Sequence, residues 1–513
     1  MSAPGPDDAP LVRLPVGTLR GRAENGLAVF RGIPYAAPPV GELRWRPARP
    51  HPGWAGIRDA GEYGPSAPQV GLVDPVLGGH GAPPFDEDCL TLNVWTPGPD
   101  DARRPVLVWI HGGGFVSGSG ALPIYAGDTF ARDGDLVVVS VSYRIGALGY
   151  LYLGAEDDAD AGNFWLTDQL AALRWIREHI AAFGGDPDDI TVAGQSGGAF
   201  STAALAVHPQ GRGLFRRAIL QSPPLGVHTP DREEALRTTA ALMEVAGVPD
   251  VAGLRALPWE ALVEATVGMF GVQARWGRWP VPFLPMVDGS TLTRHPLAAL
   301  LAGENPDLDI LLGWTADEAG FAFGANEMYA RATFEQVRAR FEEAFGARGG
   351  EAYEIFAAER PGATALELLT DLVSEELFRL PGTALAEGLA EQERPVWLYQ
   401  FDYPTPAYDG RLGAAHCLEL PFTFRNADRW AHAPFLAGVE PKTLDGLGAA
   451  MHDAWIAFVR TGDPNHAGLP AWERYTTPTR ATMRFAAACE AGTDPVGAAK
   501  RGLSGAGAAG GRA

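Results

Sequence analysis

A serine between glycines, Ser196, lies in the segment DITVAGQSGGAF, which covers residues 189–200. The first half of this segment is apolar and β-branched, as in a buried strand, and a helical pattern follows it. Residues 194–198 fit the G-x-S-x-G nucleophile elbow, in which small neighbours let a strand turn sharply into a helix and expose the serine hydroxyl. A glycine-rich loop whose serine caps the helix would have the same pattern, so other residues must decide between the two.

Three successive glycines follow another apolar run, in the motif HGGGF at residues 111–115. Glycines have no side chains, so their N–H groups can approach a substrate closely, and such loops form half of the oxyanion hole in lipases and esterases. The helix after Ser196 directs its partial positive charge to the same region. A phosphate-binding loop is disfavoured, because neither a following Lys-Ser/Thr pair nor a complete G-x-G-x-x-G motif is present. The two glycine sites together therefore indicate acyl-transfer chemistry.

A serine nucleophile needs a base, and the base needs an acid that holds its tautomer. In the order serine, acid, histidine, the chain offers Glu318 in ILLGWTADEAGF and His416 in GAAHCLELPFTF. Both lie in short loops beside apolar strand-like runs, where a triad can converge. Taken singly, Glu318 would be a solvated carboxylate and His416 an ordinary loop histidine. His111 is the strongest competing histidine, and we expect its ring to hold the glycine loop by a hydrogen bond.

The elements around these residues alternate between buried strands and amphipathic helices, which is the pattern of an α/β sheet with helices on both faces. PVLVWIHGG, DLVVVSVSYR and DITVAG are predicted strands, and residues 167–183 and the run AFSTAALAVH are predicted helices. Helical patterns between about residues 225 and 385 predict insertions that cover the carboxyl edge of the sheet. We expect one domain over residues 10–490, between a disordered segment 1–9 and a flexible Gly/Ala-rich tail 491–513.

The composition disfavours several classes of function. With 41 Lys and Arg against 62 Asp and Glu, the 513-residue chain has a formal net charge of −21, which repels nucleic acid and anionic lipid. No apolar run of about 18 residues predicts a membrane span, and the first residues lack a signal-peptide pattern, so we expect a cytoplasmic protein. Cys89, Cys417 and Cys489 form no redox or zinc motif and no H-E-x-x-H is present, so a metal site is not expected.

Together these motifs resemble the carboxylesterase type B family, which includes bacterial para-nitrobenzyl-type esterases, animal carboxylesterases and cholinesterases. The similarity runs from about residue 10 to 486 and includes FRGIPYAAPPVGELRWRPARP, EDCLTLNVWTP, SVSYRIGALGYL, FRRAILQS and AWIAFVRTGDPN in the family's order. It implies one α/β-hydrolase domain with a deep gorge, a small-molecule ester as substrate, and no cofactor. By the same match, Ser196 resembles the nucleophile, Glu318 the acid and His416 the general base. The glycines that correspond to the oxyanion donors are Gly113, Gly114 and Gly197.

Three features depart from the family pattern. The usual elbow is G-E-S-A-G, whereas this chain has Gln195 and Gly197, which removes a carboxylate beside the nucleophile and makes the turn more flexible. We expect activity to survive this change. The acid loop has an extra alanine, Ala319. The segment that ends at Cys89 lacks both the earlier cysteine, replaced by Ala67, and the tryptophan that holds choline in cholinesterases, so a choline ester is a disfavoured substrate.

The nature of the substrate pocket is less specified. Phe115 and Trp165 are near the candidate loops and are expected to line the pocket, although ordinary core positions would explain them equally well. The stretch PPLGVHTP after Ser222 lacks the tryptophan that narrows the cholinesterase acyl pocket, which favours a roomier acyl site. The hypothesis is acyl transfer from an ester to Ser196, followed by hydrolysis. Two alternatives stay open: a non-catalytic binding module of the same fold, and a lipase, amidase or transacylase with the same triad.

Overall fold

The structure of the chain is a computed structural model that describes residues 9–71, 74–79, 81, 83–154 and 162–503. The predicted disordered segment lies outside the described residues except for residue 9, and so do the last ten residues of the predicted tail.

The strands of the described residues form one large sheet and one small sheet. They are β1 (Leu11–Leu14), β2 (Gly17–Arg20), β3 (Arg22–Glu24), β4 (Leu27–Pro34), β5 (Ile57–Asp59), β6 (Thr91–Thr96), β7 (Arg104–Ile110), β8 (Val137–Val141), β9 (Gly185–Gln195), β10 (Arg217–Gln221), β11 (Asp309–Thr315), β12 (Val396–Phe401), β13 (Ala481–Phe485) and β14 (Glu490–Thr493). The large sheet has the order β14-β13-β12-β11-β10-β9-β7-β8-β6-β4-β3, and the small one has the order β1-β2-β5. Neighbours from β13 to β8 pair in parallel, while both ends of the large sheet are antiparallel. The predicted, mostly parallel α/β sheet is confirmed.

The helices flank this sheet and fill the long connections between its strands. They are α1 (Asp128–Gly134), α2 (Gly146–Tyr150), α3 (Phe164–His179), α4 (Gly197–Val207), α5 (Arg232–Ala246), α6 (Val251–Ala256), α7 (Trp259–Gln273), α8 (Pro296–Leu301), α9 (Gly320–Phe323), α10 (Glu327–Ala330), α11 (Phe334–Phe345), α12 (Gly349–Glu359), α13 (Ala365–Ser374), α14 (Leu380–Glu391), α15 (Leu420–Thr423), α16 (Pro441–Thr461) and α17 (Ala498–Arg501). Across the described part of the chain, no helix combines the length and apolarity that crossing a membrane requires.

The apolar core lies on both faces of the large sheet. Along β7, Val106, Val108 and Ile110 pack into the core on one face, and Leu107 and Trp109 pack into a second cluster on the other face. Successive side chains of a strand point to opposite faces, so a strand covered on both sides needs apolar residues at every position. This explains why the predicted strands read as continuous apolar runs.

The region predicted to hold helical insertions contains α5 to α14 over residues 232–391, with β11 between α8 and α9. The later helices have an apolar cluster of their own, which includes Phe341, Phe356 and Leu369. Between α13 and α14 the chain forms a π-helical turn, Glu375–Arg379, so the two helices follow each other without a loop. π-turns inside helices are often found at functional sites, because the extra residue changes where side chains point.

The fold continues past residue 490, where a flexible tail was predicted. β14 pairs with β13, and α17 follows at Ala498–Arg501. The buried Lys500 places its ammonium group 3.0 Å from a Glu359 oxygen and 3.3 Å from a Glu375 oxygen. Glycine and alanine content alone suggested a tail, but this buried ion pair fixes the segment to the π-turn. The tail prediction is therefore wrong for the residues up to 503.

The start of α8 is capped by a histidine. The Nδ1 atom of His295 accepts a hydrogen bond from the backbone N–H of Leu297 at 3.2 Å. Burial lowers the pKa of His295 to about 4. A histidine in the unfolded chain has a pKa of about 6.5, so the unfolded chain takes up the proton first as the pH falls. Stability is thus lost between about pH 7 and pH 4.

We expect His295→Asn, which keeps a capping acceptor but does not titrate, to reduce this acid sensitivity. On going from about pH 7 to pH 5, the parent protein should lose about 1–2 kcal/mol more of its free energy of unfolding than the variant. Urea denaturation of both proteins at the two pH values measures the difference. Equal losses in the two proteins would contradict the prediction.

Candidate active site

Ser196 occupies a strained turn between β9 and α4. Its backbone angles are φ 56° and ψ −128°, a combination that non-glycine residues rarely adopt. Every other residue from 190 to 208 is buried, whereas Ser196 is partly exposed. The serine N–H donates to the carbonyl of Gln221 at 2.9 Å, which ties the turn to the end of β10. This is the geometry of a nucleophile elbow, with the hydroxyl lifted out of the packed strand and helix.

Glu318 and His416 are in direct contact beneath this turn. The Nδ1 atom of His416 forms a short hydrogen bond with a Glu318 carboxylate oxygen, and both side chains are almost fully buried. The other carboxylate oxygen of Glu318 accepts from the backbone N–H of Thr315 at 2.9 Å. With Nδ1 donating to the carboxylate, the Nε2 atom of His416 is left as the acceptor, which is the tautomer that a general base requires.

These residues meet because their strands end at the same edge of the sheet. Ser196 follows β9 directly, Glu318 lies three residues after β11, and His416 is in the loop after β12. The two loops also bond to each other, since the His416 N–H donates to the Glu318 carbonyl at 3.3 Å. Residues far apart in the sequence are therefore brought together by parallel strand order.

The histidine ring faces the elbow. Its Nε2 atom lies 3.0 Å from the side-chain amide nitrogen of Gln195, the residue directly before Ser196. The structure thus places His416, with Glu318 behind its Nδ1, against the elbow at Gln195. Among the described residues no hydrogen bond joins the Ser196 hydroxyl to His416, so the Ser-His-Glu triad stays a prediction. His111 does not contact His416 or Glu318: its Nδ1 donates to the Gly112 carbonyl at 2.8 Å, the kind of bond to the glycine loop that was expected, and its ring stacks on Tyr143. Burial lowers the pKa of His111 to about 4, so this ring is neutral at pH 7.

The glycine loop curls over the same edge. Gly113 and Gly114 have φ values of 119° and 57°, which favour glycine. The N–H groups of Val116 and Ser117 both donate to the Gly113 carbonyl, at 3.1 and 3.0 Å, and hold the loop closed. Among the described residues, no protein acceptor bonds the N–H groups of Gly113, Gly114 or Gly197. Free amides at a loop and a helix start are suited to bind an oxyanion.

Two departures from the expected motif have a packing reason. A Cβ atom added to Gly197 would lie 3.0 Å from the ring of Phe115, so this ring occupies the space that an alanine would need. The extra Ala319 is fully buried, and its N–H donates to the Ser374 hydroxyl at 3.0 Å. The acid loop is therefore attached to the helix that leads into the π-turn.

The two residues predicted to line the pocket are buried in the core instead. Trp165 is fully buried, stacks on Tyr150 at 5.4 Å between ring centroids, and has no surface to offer a substrate. Phe115 is 4% exposed and packs on Tyr150 and Phe200 beneath the elbow. The apolar core extends under the site. Closeness to the motifs in the sequence does not show whether an aromatic residue lines the pocket or belongs to the core.

Three other aromatic rings face His416. The ring centroids of Trp279, Phe321 and Phe378 lie 5.3, 6.0 and 5.1 Å from that of His416. Trp279 also stacks on Phe321 at 5.5 Å. Phe321 follows Glu318 by three residues, so its place beside the acid loop could have marked it in the sequence as a residue near the site. Trp279 and Phe378 come from the helical insertions, where no motif marked them.

Comparisons with known proteins establish the family of the chain. Residues 8–494 match the sequence profile of the Carboxylesterase family, and the chain belongs to that family. It is 50% identical over 468 residues to phenmedipham hydrolase from Pseudarthrobacter oxydans, covering 91% of this chain and 93% of that protein. It is 35% identical over 482 residues to para-nitrobenzyl esterase from Bacillus subtilis, covering 92% of this chain and 94% of that protein.

Solved structures have the same fold. The crystal structure of carboxylesterase EST55 from Geobacillus stearothermophilus matches with a TM-score of 0.86 and 38% identity, over 96% of this chain and 99% of that one. A thermophilic PNB esterase matches with a TM-score of 0.85 and 33% identity, over 96% of this chain and 100% of that one. The predicted type B carboxylesterase family and α/β-hydrolase fold are confirmed, and the chain is a carboxylic ester hydrolase.

Proposed function

We propose that the chain hydrolyses carboxylic esters through an acyl-enzyme intermediate on Ser196, with His416 as general base and Glu318 as its acid partner. The observation that carries this proposal is the strained elbow at Ser196, placed beside a buried His416 whose Nδ1 bonds Glu318. Strain of this kind persists only where the surrounding structure imposes it, and it is concentrated at functional sites.

The mechanism follows from the tautomer of His416. As the Ser196 oxygen attacks the ester carbonyl carbon, its proton moves to Nε2 of His416, and the carbonyl oxygen becomes an oxyanion. Collapse of this intermediate breaks the bond to the alcohol, which takes the proton from Nε2. A water molecule then repeats the sequence on the acyl-serine and releases the carboxylic acid. Glu318 stays ionised throughout and stabilises the imidazolium.

The oxyanion is assigned to the amides of Gly113, Gly114 and Gly197. Their N–H groups have no protein acceptor among the described residues, and Gly197 begins α4, whose dipole adds positive charge. Donors held in place before the reaction stabilise the developing charge without reorganisation, and losing one donor of this kind costs about 10²–10³ in kcat.

The substrates are proposed to carry an aromatic leaving group. His416 protonates the leaving alcohol, so rings that face His416 border the place where that group lies. Trp279 and Phe321 are partly exposed and form such a wall, and the buried Phe378 packs against Trp279 and His416. Edge-to-face and stacked contacts with an aryl group each contribute about 0.5–1.5 kcal/mol beyond apolar burial.

Aryl carbamates are the second candidate substrate class. The relative that is 50% identical is named for hydrolysis of phenmedipham, and the aromatic wall beside His416 is an observation in this chain that suits an aromatic carbamate. The same serine, histidine and oxyanion donors would serve, because a carbamate also has a carbonyl carbon with an oxygen leaving group.

A cytoplasmic location is also proposed. Cys89, Cys417 and Cys489 are all free thiols, which is typical of proteins in reducing compartments.

The substrate proposal is tested by Trp279→Leu. We expect kcat/KM for a phenyl ester to fall about tenfold relative to a cyclohexyl ester of the same acid, because stacking is lost while apolar volume is largely kept. Steady-state rates on the ester pair measure this ratio. Trp276→Leu is the matched control, since Trp276 contacts Tyr329. A ratio that Trp279→Leu leaves unchanged would argue against an aryl site at this wall.

A further inference from the structure

The residue before the nucleophile makes a contact that the triad alone does not use. Gln195 ends β9, is 1% exposed, and places its amide nitrogen 3.0 Å from Nε2 of His416. The same nitrogen lies 3.4 Å from the Cys417 sulfur. We propose that Gln195 is a positioning residue for His416, which holds Nε2 at the elbow and keeps the imidazole neutral between turnovers. This inference rests on the proposed roles of Ser196 and His416.

The polarity of the contact follows from the other side of the ring. Nδ1 of His416 is occupied by Glu318, so Nε2 has a lone pair and the Gln195 amide is its donor. The same lone pair receives the proton from Ser196, so the amide leaves Nε2 when the serine hydroxyl takes its place. A donor placed at Nε2 therefore favours the form of the histidine that is competent as a base.

An amide can also serve the second half of the cycle. After Nε2 has taken up the proton from Ser196, the ring nitrogen is a donor and needs an acceptor. Rotation about the last torsion of Gln195 exchanges its nitrogen and oxygen at nearly constant shape. A carboxylate at this position would always accept and would favour the imidazolium, whereas a methionine has no donor and its sulfur is only a weak acceptor.

Two other titratable groups near His416 are uncharged at neutral pH. Burial raises the pKa of the Cys417 thiol well above its usual value, so it is neutral. Burial, together with the charge of Glu318, raises the pKa of Glu419 to about 8, so this carboxyl is protonated at pH 7. The nearby Asp317 bonds the Ala414 N–H at 2.9 Å on the loop that carries His416.

Two further carboxylates, Asp317 and Asp74, are each held by other groups. Asp317 is paired with Arg360 at 3.3 Å, and Asp74, which acts on Cys417, accepts hydrogen bonds from its own loop at Val76 and Leu77. The rings of the aromatic wall carry no charge. A carboxylate introduced at position 195 would therefore be a second negative charge directly on the imidazole.

The test is the pH dependence of kcat/KM for a p-nitrophenyl ester, between about pH 5 and pH 9. In the parent, the rate falls on the acid side as the free enzyme's base is protonated. Gln195→Glu should move the midpoint of this acid limb upward by about one pH unit or more, because a carboxylate in contact favours the imidazolium. Gln195→Met, which removes the donor without adding charge, should move it upward by a smaller amount and lower kcat.

A purely structural role would lower kcat in both variants and leave the midpoint in place. Gln169→Met is the matched control, because it also removes a buried amide, one that bonds Ser201 at 3.3 Å. It should keep the parent's midpoint. Melting temperatures establish that each variant is folded, and Gln195→Met provides the test if Gln195→Glu does not fold.

Labelling of Ser196 by diisopropyl fluorophosphate distinguishes a failure of the role of Gln195 from a failure of the proposed function. If the parent and both variants are labelled at Ser196 and the acid limb does not move, the role of Gln195 is overturned and the triad stands. If the parent itself is not labelled, the proposed function fails. Labelling together with an upward shift in the order parent, Gln195→Met, Gln195→Glu supports the inference.

Discussion

Replacing Ser196 by alanine is expected to lower kcat for ester hydrolysis on the order of 10⁶-fold, because the proposed triad acts as a unit and the change removes its proposed nucleophile. Binding should change little, since the hydroxyl is a single small group at the edge of the site. The remaining rate over that in water would come from the oxyanion donors and from substrate binding. Steady-state kinetics with a p-nitrophenyl ester at neutral pH measure the loss.

Ser201→Ala is the matched control for this experiment. Ser201 lies one turn further along α4, is fully buried, and bonds Gln169 rather than His416. It should keep activity within about threefold of the parent, since its hydrogen bond contributes only about 1 kcal/mol to stability. An alanine variant at 196 that hydrolyses esters as fast as this control would mean that another residue is the nucleophile.

The local motifs of the site could be predicted from the sequence because each is built by consecutive residues. A serine between small residues, after a buried strand and before a helix, has few ways to fold other than the turn found at Ser196. The glycines at 113 and 114 adopt left-handed angles that few other residues accept. Glu318 and His416 needed the additional knowledge of chain order, since a lone carboxylate or imidazole carries no such local signal.

The aromatic residues around His416 could not be predicted, because packing rather than pattern determines their positions. Trp165 and Trp279 are the same residue type, yet one is buried against Tyr150 and the other lies beside His416. Apolar periodicity reports which face of a helix is covered and not what covers it. Phe378 reaches the site from a π-turn, and a single extra residue in a helical turn has no periodic signature.

The departures from the family motif are linked to contacts elsewhere in the chain. Gly197 leaves room for the ring of Phe115, and the N–H of Ala319 donates to the hydroxyl of Ser374. Gln195 places its side-chain amide nitrogen 3.0 Å from Nε2 of His416. Each departure looked like a loss when it was compared with the motif alone. In three dimensions each has a partner, so we expect reverting one of them singly, without changing that partner, to disturb the site.

The largest expected loss of stability comes from breaking the buried ion pair between Arg144 and Asp168. Arg144 follows β8, and Asp168 lies on α3; both side chains are almost completely buried. The guanidinium donates to the carboxylate at 2.8 and 2.6 Å, and the Arg144 N–H adds a third bond at 3.1 Å. Although burial alone would lower the pKa of Arg144, the charge and hydrogen bonds of Asp168 raise it.

We expect Asp168→Ala to lower the free energy of unfolding by about 3–5 kcal/mol, because a guanidinium that cannot lose its proton is left buried without its partner. Urea denaturation followed by fluorescence and by circular dichroism measures the change. The double variant Arg144→Met/Asp168→Leu should recover most of the loss, since it removes both charges and keeps apolar volume.

Glu233→Ala is the control, because it removes one partner of an ion pair that is exposed rather than buried. Glu233 pairs with Arg237 on the surface of α5, with exposed side-chain fractions of 83% and 63%. Water screens that pair and solvates either charge when it is alone, so the denaturation midpoint should hardly move. Equal shifts of the denaturation midpoint in Asp168→Ala and Glu233→Ala would contradict this prediction. They would mean that water reaches Arg144 in the variant and solvates its charge.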